Sequence, residues 1–200
     1  DDLNDRRVAI GKEGSGTYLT ARLLFEVSDV SPREMVAIGT DDALTQLKEG
    51  KIDAMFYVAG IPVKLFTDNV SEGDGLAVIP IVNKSILEFY PKAEIPGKTY
   101  TWQNESVSTV AVKAVLVSFD FRRNHCTNVG KLGRILHDNL DWLRVNGHPK
   151  WNYVDLNYPL KGWDQYDCVK KNLRKSQRPR RKKTQLINPV LEAIKDMLGE

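Results

Sequence analysis

The strongest constraint on the fold is a repeated alternation in the first half of the chain. Four short apolar runs, "RVAI" (7–10), "EMVAIG" (34–39), "KIDAMFYVAG" (51–60) and "LAVIPI" (76–81), are separated by stretches with helical spacing. Such runs read as buried strands, and the intervening segments carry helix start and stop signals. In "SGTYLTARLLFEV", Leu19, Leu23 and Val27 fall on one face at i, i+4 and i+8. "TDDALTQLKEG" offers Thr40 or Asp41 as an N-cap and ends at Gly50, and "IPVKLFTDNV" places Pro62 in the first turn of a helix. The order β-α-β-α-β-α-β predicts an α/β fold, with a mainly parallel sheet of four to five strands flanked by helices on both faces.

The second half changes character. "VSTVAVKAVLVSF" (107–119) is extended and β-branched, and is long for one strand. From Cys126 to Val145 the apolar positions keep helical spacing, predicting one helix of about five turns. A polar and aromatic stretch follows, then a basic run, then a terminal helix led by Pro189. These shifts divide the chain into an α/β ligand-binding lobe (1–118), a helical segment (119–169), and a basic linker with the terminal helix (170–200).

Charge is unevenly placed. The run 170–183 holds nine Lys/Arg and no acid, so the rest of the chain is acidic although the net charge is +3. No aromatic residue is interleaved in the run to stack a base, so a solvated segment is expected and nucleic acid is not an expected partner. No stretch approaches the ~18 apolar residues of a membrane helix. Cys126 and Cys168 lack metal-site spacing, and either one bridge or two free thiols is consistent with them. His125 beside Cys126 is not expected to act as a nucleophile's base. There is no Gly-x-Ser-x-Gly elbow and no His-Glu-x-x-His, and the expectation is a protein that is not an enzyme and takes no cofactor and no metal. Asp41, Asp42 and Asp53 are expected to serve as helix-cap and strand-end residues.

One motif carries chemistry. "GKEGSGTYLT" (11–20) joins the first strand to the first helix. Gly11 and Gly16 have Walker A spacing, but Thr17 stands where the lysine belongs; Leu19 stands where a dinucleotide fingerprint needs its third glycine. Both nucleotide readings fail on a named residue. Gly14 and Gly16 allow close backbone approach, and the Ser15 and Thr17 hydroxyls beside a helix N-terminus suit a small anion. A plain helix cap is an equally good reading of the same letters. In an open parallel sheet ligands bind at the carboxyl ends of the strands. Three loops belong there, 11–17, 39–42 and 59–62, and three helix N-termini would serve an anionic ligand without any lysine. Tyr57, and Trp102 with Tyr100, are candidates for an aromatic wall, with core packing as the alternative.

The stretches "RVAIGKEGSGTYLTARLLFE", "DDALTQLKEGKIDAMFYVAGIPVKLF", "LAVIPI" and "YTWQNESVSTVAVKAVLVS" together resemble the solute-binding proteins of TAXI-type TRAP transporters. The resemblance covers roughly residues 6–118 and implies the type II periplasmic-binding-protein fold, of which this chain would hold the second lobe and the C-terminal part. It implies a periplasmic receptor that captures a small carboxylate such as glutamate, glutamine or 2-oxoglutarate and delivers it to TRAP membrane permease subunits. The implied ligand-binding residues are Gly14, Ser15, Gly16 and Thr17, faced by Tyr57, Gly60, Ile61, Pro62 and Trp102. Export, if it applies, would permit a disulfide between Cys126 and Cys168.

Overall fold

A computed structural model describes residues 2–121, 124–160, 162–175 and 188–198. The chain divides into two compact units, Asp1–Ala114 and Val115–Glu200.

The first unit is built on a three-stranded parallel sheet. β1 (Arg7–Ala9) lies between β2 (Glu34–Val36) and β3 (Ala54–Met55), in the order β2-β1-β3. Val8 pairs with Met35 on one side and Ala54 on the other, and Ala9 pairs with Val36 and Met55. Because successive strand residues point to opposite faces, "RVAI" serves two cores. Val8 and Ile10 pack with Ala21, Phe25 and Ala54 under α1 (Gly16–Ser28), whereas Ala9 packs with Ala43 and Ile52 under α2 (Thr40–Lys48). Val8 and Ala9 are fully buried. Helices therefore cover both faces of the sheet, as the alternation predicts.

Several elements differ from the sequence expectation. The buried face of α1 is Thr17, Ala21, Leu24, Phe25 and Ser28, while Leu19 and Leu23 are 58% and 48% exposed. Both faces of this helix carry apolar residues, so periodicity alone does not choose between them. The small Ala21 lets the helix lie close to β1. α2 takes Gly39 as its N-cap, with Thr40 already helical and Asp41 and Asp42 in the first turn, where carboxylates suit the helix dipole. Pro62 does not open a helix: α3 (Lys64–Asn69) starts after Val63, and the Ile61–Pro62 peptide is cis.

Among the described residues "LAVIPI" joins no ladder, and the parallel sheet has three strands. Pro80 has no N–H to donate, and the segment reaches its neighbour through Ile81 N–H to Ser108 O (2.9 Å). α4 (Lys84–Phe89) follows, capped by the Asn83 side chain. β4 (Lys92–Ile95) then pairs antiparallel with β5 (Val107–Val110) in a second, two-stranded sheet. Only four residues of the long 107–119 run are strand, because the partner β4 begins just after Pro91, itself preceded by α4, so nothing of β4 lies opposite residues beyond Ala111.

In the second unit the expected single helix is two, α5 (Asn124–Asp138) and α6 (Leu140–Asn146). The break falls at Asn139 (φ −114°, ψ 12°), whose side-chain amide donates to Ile135 O at 2.7 Å. Asparagine competes with the helix for backbone partners in this way. Cys126 and Cys168 are disulfide-bonded, fastening α5 to α7 (Asp167–Lys175). α8 (Pro189–Leu198) is led by Pro189 and capped by Asn188, which accepts from the Val190 and Leu191 N–H groups. Of the basic run, residues 170–175 belong to α7, and 176–183 lie outside the described residues. Among the described residues no helix is long and apolar enough to cross a membrane.

Asp53 is the strand-end residue expected of it. Its carboxylate accepts from the Arg7 backbone N–H (2.8 Å), Nε (3.1 Å) and Nη2 (2.9 Å), while Arg7 Nη2 also donates to Gly50 O. These bonds from Arg7 hold the carboxyl far below the usual aspartate range, against a smaller opposing effect of desolvation. A depressed folded-state pKa contributes stability that is present above the unfolded value of ~3.9 and is lost as pH falls below it. Asp53→Asn is therefore expected to lower Tm at pH 7, with the gap to the natural protein narrowing as melts are repeated toward pH 3. A gap independent of pH would show that the ion pair contributes nothing.

Candidate functional site

Because the three strands run parallel, their carboxyl ends lie along one edge, with the β1–α1 turn in the middle. This turn is shaped by glycine. Gly11 has φ +87°, and a Cβ there would lie 2.9 Å from the Thr17 Cβ. Gly14 has φ +77°, and the Cβ positions of both Gly14 and Gly16 meet no heavy atom within 4 Å. The turn is thus tight on its inner side and open beside Gly14 and Gly16, where its backbone is accessible to a ligand.

The two hydroxyls have partners of their own. Ser15 Oγ accepts from Tyr18 N–H (3.1 Å), making Ser15 the N-cap of α1. Thr17 Oγ1 accepts from Val58 N–H (3.2 Å) across the sheet edge, and Thr17 is buried at 7% exposure. The cap reading of the motif is therefore true of Ser15, and Thr17 is a packed residue that ties α1 to the exit of β3. Each hydroxyl spends a lone pair in these bonds and retains its proton, so each remains able to donate to a carboxylate.

The third loop differs from expectation. Gly60, Ile61 and Pro62 lie two to four residues beyond Val58, where Ile61 and Pro62 form a bend with a cis peptide before the six-residue α3, whose N-cap is Val63. The Val63 N–H that precedes α3 is taken by Tyr100 Oη at 3.0 Å. Burial pushes the Tyr100 phenol above its ordinary pKa. Tyr57 sits beyond the β3 ladder and is 37% exposed, with its ring edge-on to Phe66 at 5.9 Å. Phe66 in turn meets Tyr100 (5.9 Å) and Trp102 (6.4 Å), and Tyr100 stacks on Trp102 at 5.2 Å. Tyr57 is thus the exposed end of a four-ring cluster. Trp102 is half-buried in this cluster, and its indole Nε1 is buried with no hydrogen-bond partner among the described residues. Phe66, in the middle of the cluster, was not among the expected residues; its place on a short helix with no other marked feature leaves no sequence signal.

Lys12 was missed for a different reason. A Walker lysine would stand at position 17, whereas the basic residue of this turn is Lys12, five positions earlier. Lys12 Cε lies 3.9 Å from the Cβ position of Gly39, at the mouth of the second loop, and Asp42 Oδ2 is 3.6 Å from the same point. Lys12 is thus close to the second loop of an edge whose expected anion site uses no lysine.

A parallel β-α-β-α-β unit with helices on both faces and its loops gathered at the carboxyl edge of the strands defines an α/β fold, and a ligand site in such a fold lies at that edge. Residues 1–156 match the NMT1-like family, and the chain belongs to that family. The family is periplasmic-binding-protein-like, with a solute-binding role. The match covers all of the first unit and enters the second, ending before α7.

Proposed function

We propose that this chain is the ligand-capturing part of an extracytoplasmic receptor of the TAXI type, serving a TRAP permease, and that it binds a small carboxylate such as glutamate, glutamine or 2-oxoglutarate without chemically changing it. The observation that carries the reading is the β1–α1 turn, open at Gly14 and Gly16 with Ser15 and the first N–H groups of α1 next in the chain, while Thr17, buried and bonded to the Val58 N–H, holds the turn in place. In this reading Tyr57, Gly60, Ile61 and Pro62, on the segment that leaves β3, and Trp102, joined to Tyr57 through Phe66, complete the site. The disulfide agrees with an extracytoplasmic compartment, since such bonds persist where the surroundings are oxidising.

Calorimetry of the full chain with L-glutamate, L-glutamine and 2-oxoglutarate tests the reading. Binding of at least one is expected, and silence with all three at millimolar concentration would refute it. Ser15→Gly is the informative variant, because glycine replaces a serine N-cap at a loss of only a few tenths of a kcal/mol. If the hydroxyl donates to the ligand, affinity should fall by about 1–1.5 kcal/mol, roughly tenfold. An unchanged isotherm would leave Ser15 as a cap alone.

A further inference from the structure

The disulfide of the second unit does more than close a loop: it sets which face of α7 points outward. Cys168 is bonded to Cys126 of α5, and side chains at Gly130 and Gly133 of α5 would strike Cys168 O, Asn172 and Val169, so Cys168, Val169 and Asn172 form the seam. Lys170, Lys171 and Arg174 therefore share the opposite side of the helix. Lys171 and Arg174 are exposed, and neither has an ion-pair partner among the described residues, while Lys170 reaches only the exposed Asp167, at 4.0 Å. The sequence from 170 to 183 continues basic without an acid. Large apolar side chains are exposed in the same unit. Trp163, four residues before α7, is 64% exposed, and Phe119 is 75% exposed beside Phe121, whose carbonyl accepts from Tyr166 Oη at the start of α7. We propose that the basic face of α7 docks on an anionic phospholipid surface.

Charge and compartment together choose this partner. The acids of the region, Asp120, Asp164 and Asp167, stand at the start of α7, which leaves Lys170, Lys171 and Arg174 without an intervening acid along the rest of the helix. Such a face gains from any dense array of anions. Nucleic acid offers one, but α7 carries no aromatic side chain to stack a base. A disulfide-bonded unit belongs to an oxidising compartment, where a membrane and not nucleic acid is the extended anionic surface. Tryptophan and phenylalanine exposed near the helix suit the boundary between headgroup and acyl chain. The inference uses the extracytoplasmic part of the receptor reading and is independent of its ligand.

The test is co-sedimentation of the full chain, disulfide intact, with vesicles of phosphatidylglycerol and phosphatidylcholine in equal parts, and with vesicles of phosphatidylcholine alone. Binding to the mixed vesicles is expected at low ionic strength, weakening as salt is raised, with none to phosphatidylcholine. Lys171→Gln with Arg174→Gln should weaken it by roughly twenty-fivefold, about fivefold for each charge, and glutamine keeps the helix propensity of both positions. Lys171→Arg with Arg174→Lys, which keeps both charges, should bind as the natural protein does. Lys84→Gln with Lys92→Gln removes the same charge from exposed sites of the first unit and should change little. Equal loss in the two glutamine pairs would mean that net charge alone is responsible, and full binding by the α7 glutamine pair would place the contact outside that helix. Either result overturns the proposal, as would binding to a DNA duplex with the vesicles left bare, or no binding to the mixed vesicles. Carboxylate capture is read separately by calorimetry, so the receptor reading stands or falls on its own result.

Discussion

Replacing Cys126 and Cys168 together by serine is expected to lower the unfolding free energy of the second unit by about 4 kcal/mol, the chain-entropy value for a loop of this size. The two cysteines are 42 residues apart in sequence and join α5 to α7. Little else in this unit resists unfolding. Among its described residues only Ile135 and Leu143 are buried apolar side chains, whereas the first unit has fourteen, from Val8 to Tyr100. α7 has nine residues and five basic or acidic side chains, too short and too charged to persist alone. Its place against α5 depends on close approach at Gly130 and Gly133. A Cβ at Gly130 would lie 2.3 Å from Cys168 O, and one at Gly133 would lie 2.9 Å from a Val169 methyl. Urea unfolding of the natural protein with and without a thiol reductant, beside the double serine variant, measures the effect. The reduced protein and the variant should unfold alike and earlier than the oxidised protein. Coincident curves in all three samples would show that the glycine-lined seam holds α7 by itself.

The elements legible in the sequence were those in which local pattern and tertiary demand coincide. "RVAI" reads as a buried strand because alternate residues meet two different helices, and the order of strands and helices follows from the chain's own alternation. Asn188-Pro189 and Ser15 announce helix starts by capping chemistry that needs nothing distant. The misread elements depend on partners far along the chain. "LAVIPI" has strand composition, but a strand exists only where a neighbour supplies a ladder, and here the neighbour supplies a single bond to Ile81. The 107–119 run is cut to four paired residues because its partner β4 starts only after Pro91, a limit set by another segment of the chain. Leu19 and Leu23 form as good an apolar stripe as Ala21 and Phe25, and only the contact with β1 decides which is buried.

At the site the same division holds. The glycine pattern of "GKEGSGTYLT" marks a turn that admits a ligand to its backbone, and that much is local. The bond from Val58 N–H to Thr17 Oγ1 spans 41 residues, and no spacing within the motif announces it. Without that bond Thr17 looks like a rim residue; with it, Thr17 is part of the core. Lys12 was visible as a letter, but its nearness to Gly39 follows from β2 lying next to β1, which is a property of sheet order.

Gly11→Ala should damage the turn more than any other single methyl added to it, because two independent penalties meet there. The backbone at φ +87° disfavours any L side chain, at about 1–2 kcal/mol. The new Cβ would also stand 2.9 Å from Thr17 Cβ and 3.0 Å from its Cγ2, and overpacking of that kind adds about 1–3 kcal/mol. Thr17 cannot yield freely, since it is buried and its hydroxyl holds Val58 at the exit of β3. Relief must come from a shift of α1 itself, which would carry Ser15 and the open side of the turn with it. The expected loss in stability is about 2–5 kcal/mol, accompanied by loss of carboxylate binding. Gly14→Ala provides the contrast, with φ +77° but open space around the added methyl. It should lose only the conformational part, about 1–2 kcal/mol, while placing its methyl where a ligand would approach the backbone. Denaturation and calorimetry on the two variants separate the roles: Gly11 keeps the turn folded against α1, and Gly14 keeps it accessible. Equal destabilisation by both would mean that the contact between Gly11 and Thr17 is no constraint. Full affinity in Gly14→Ala would mean that the ligand does not approach the turn from its open side.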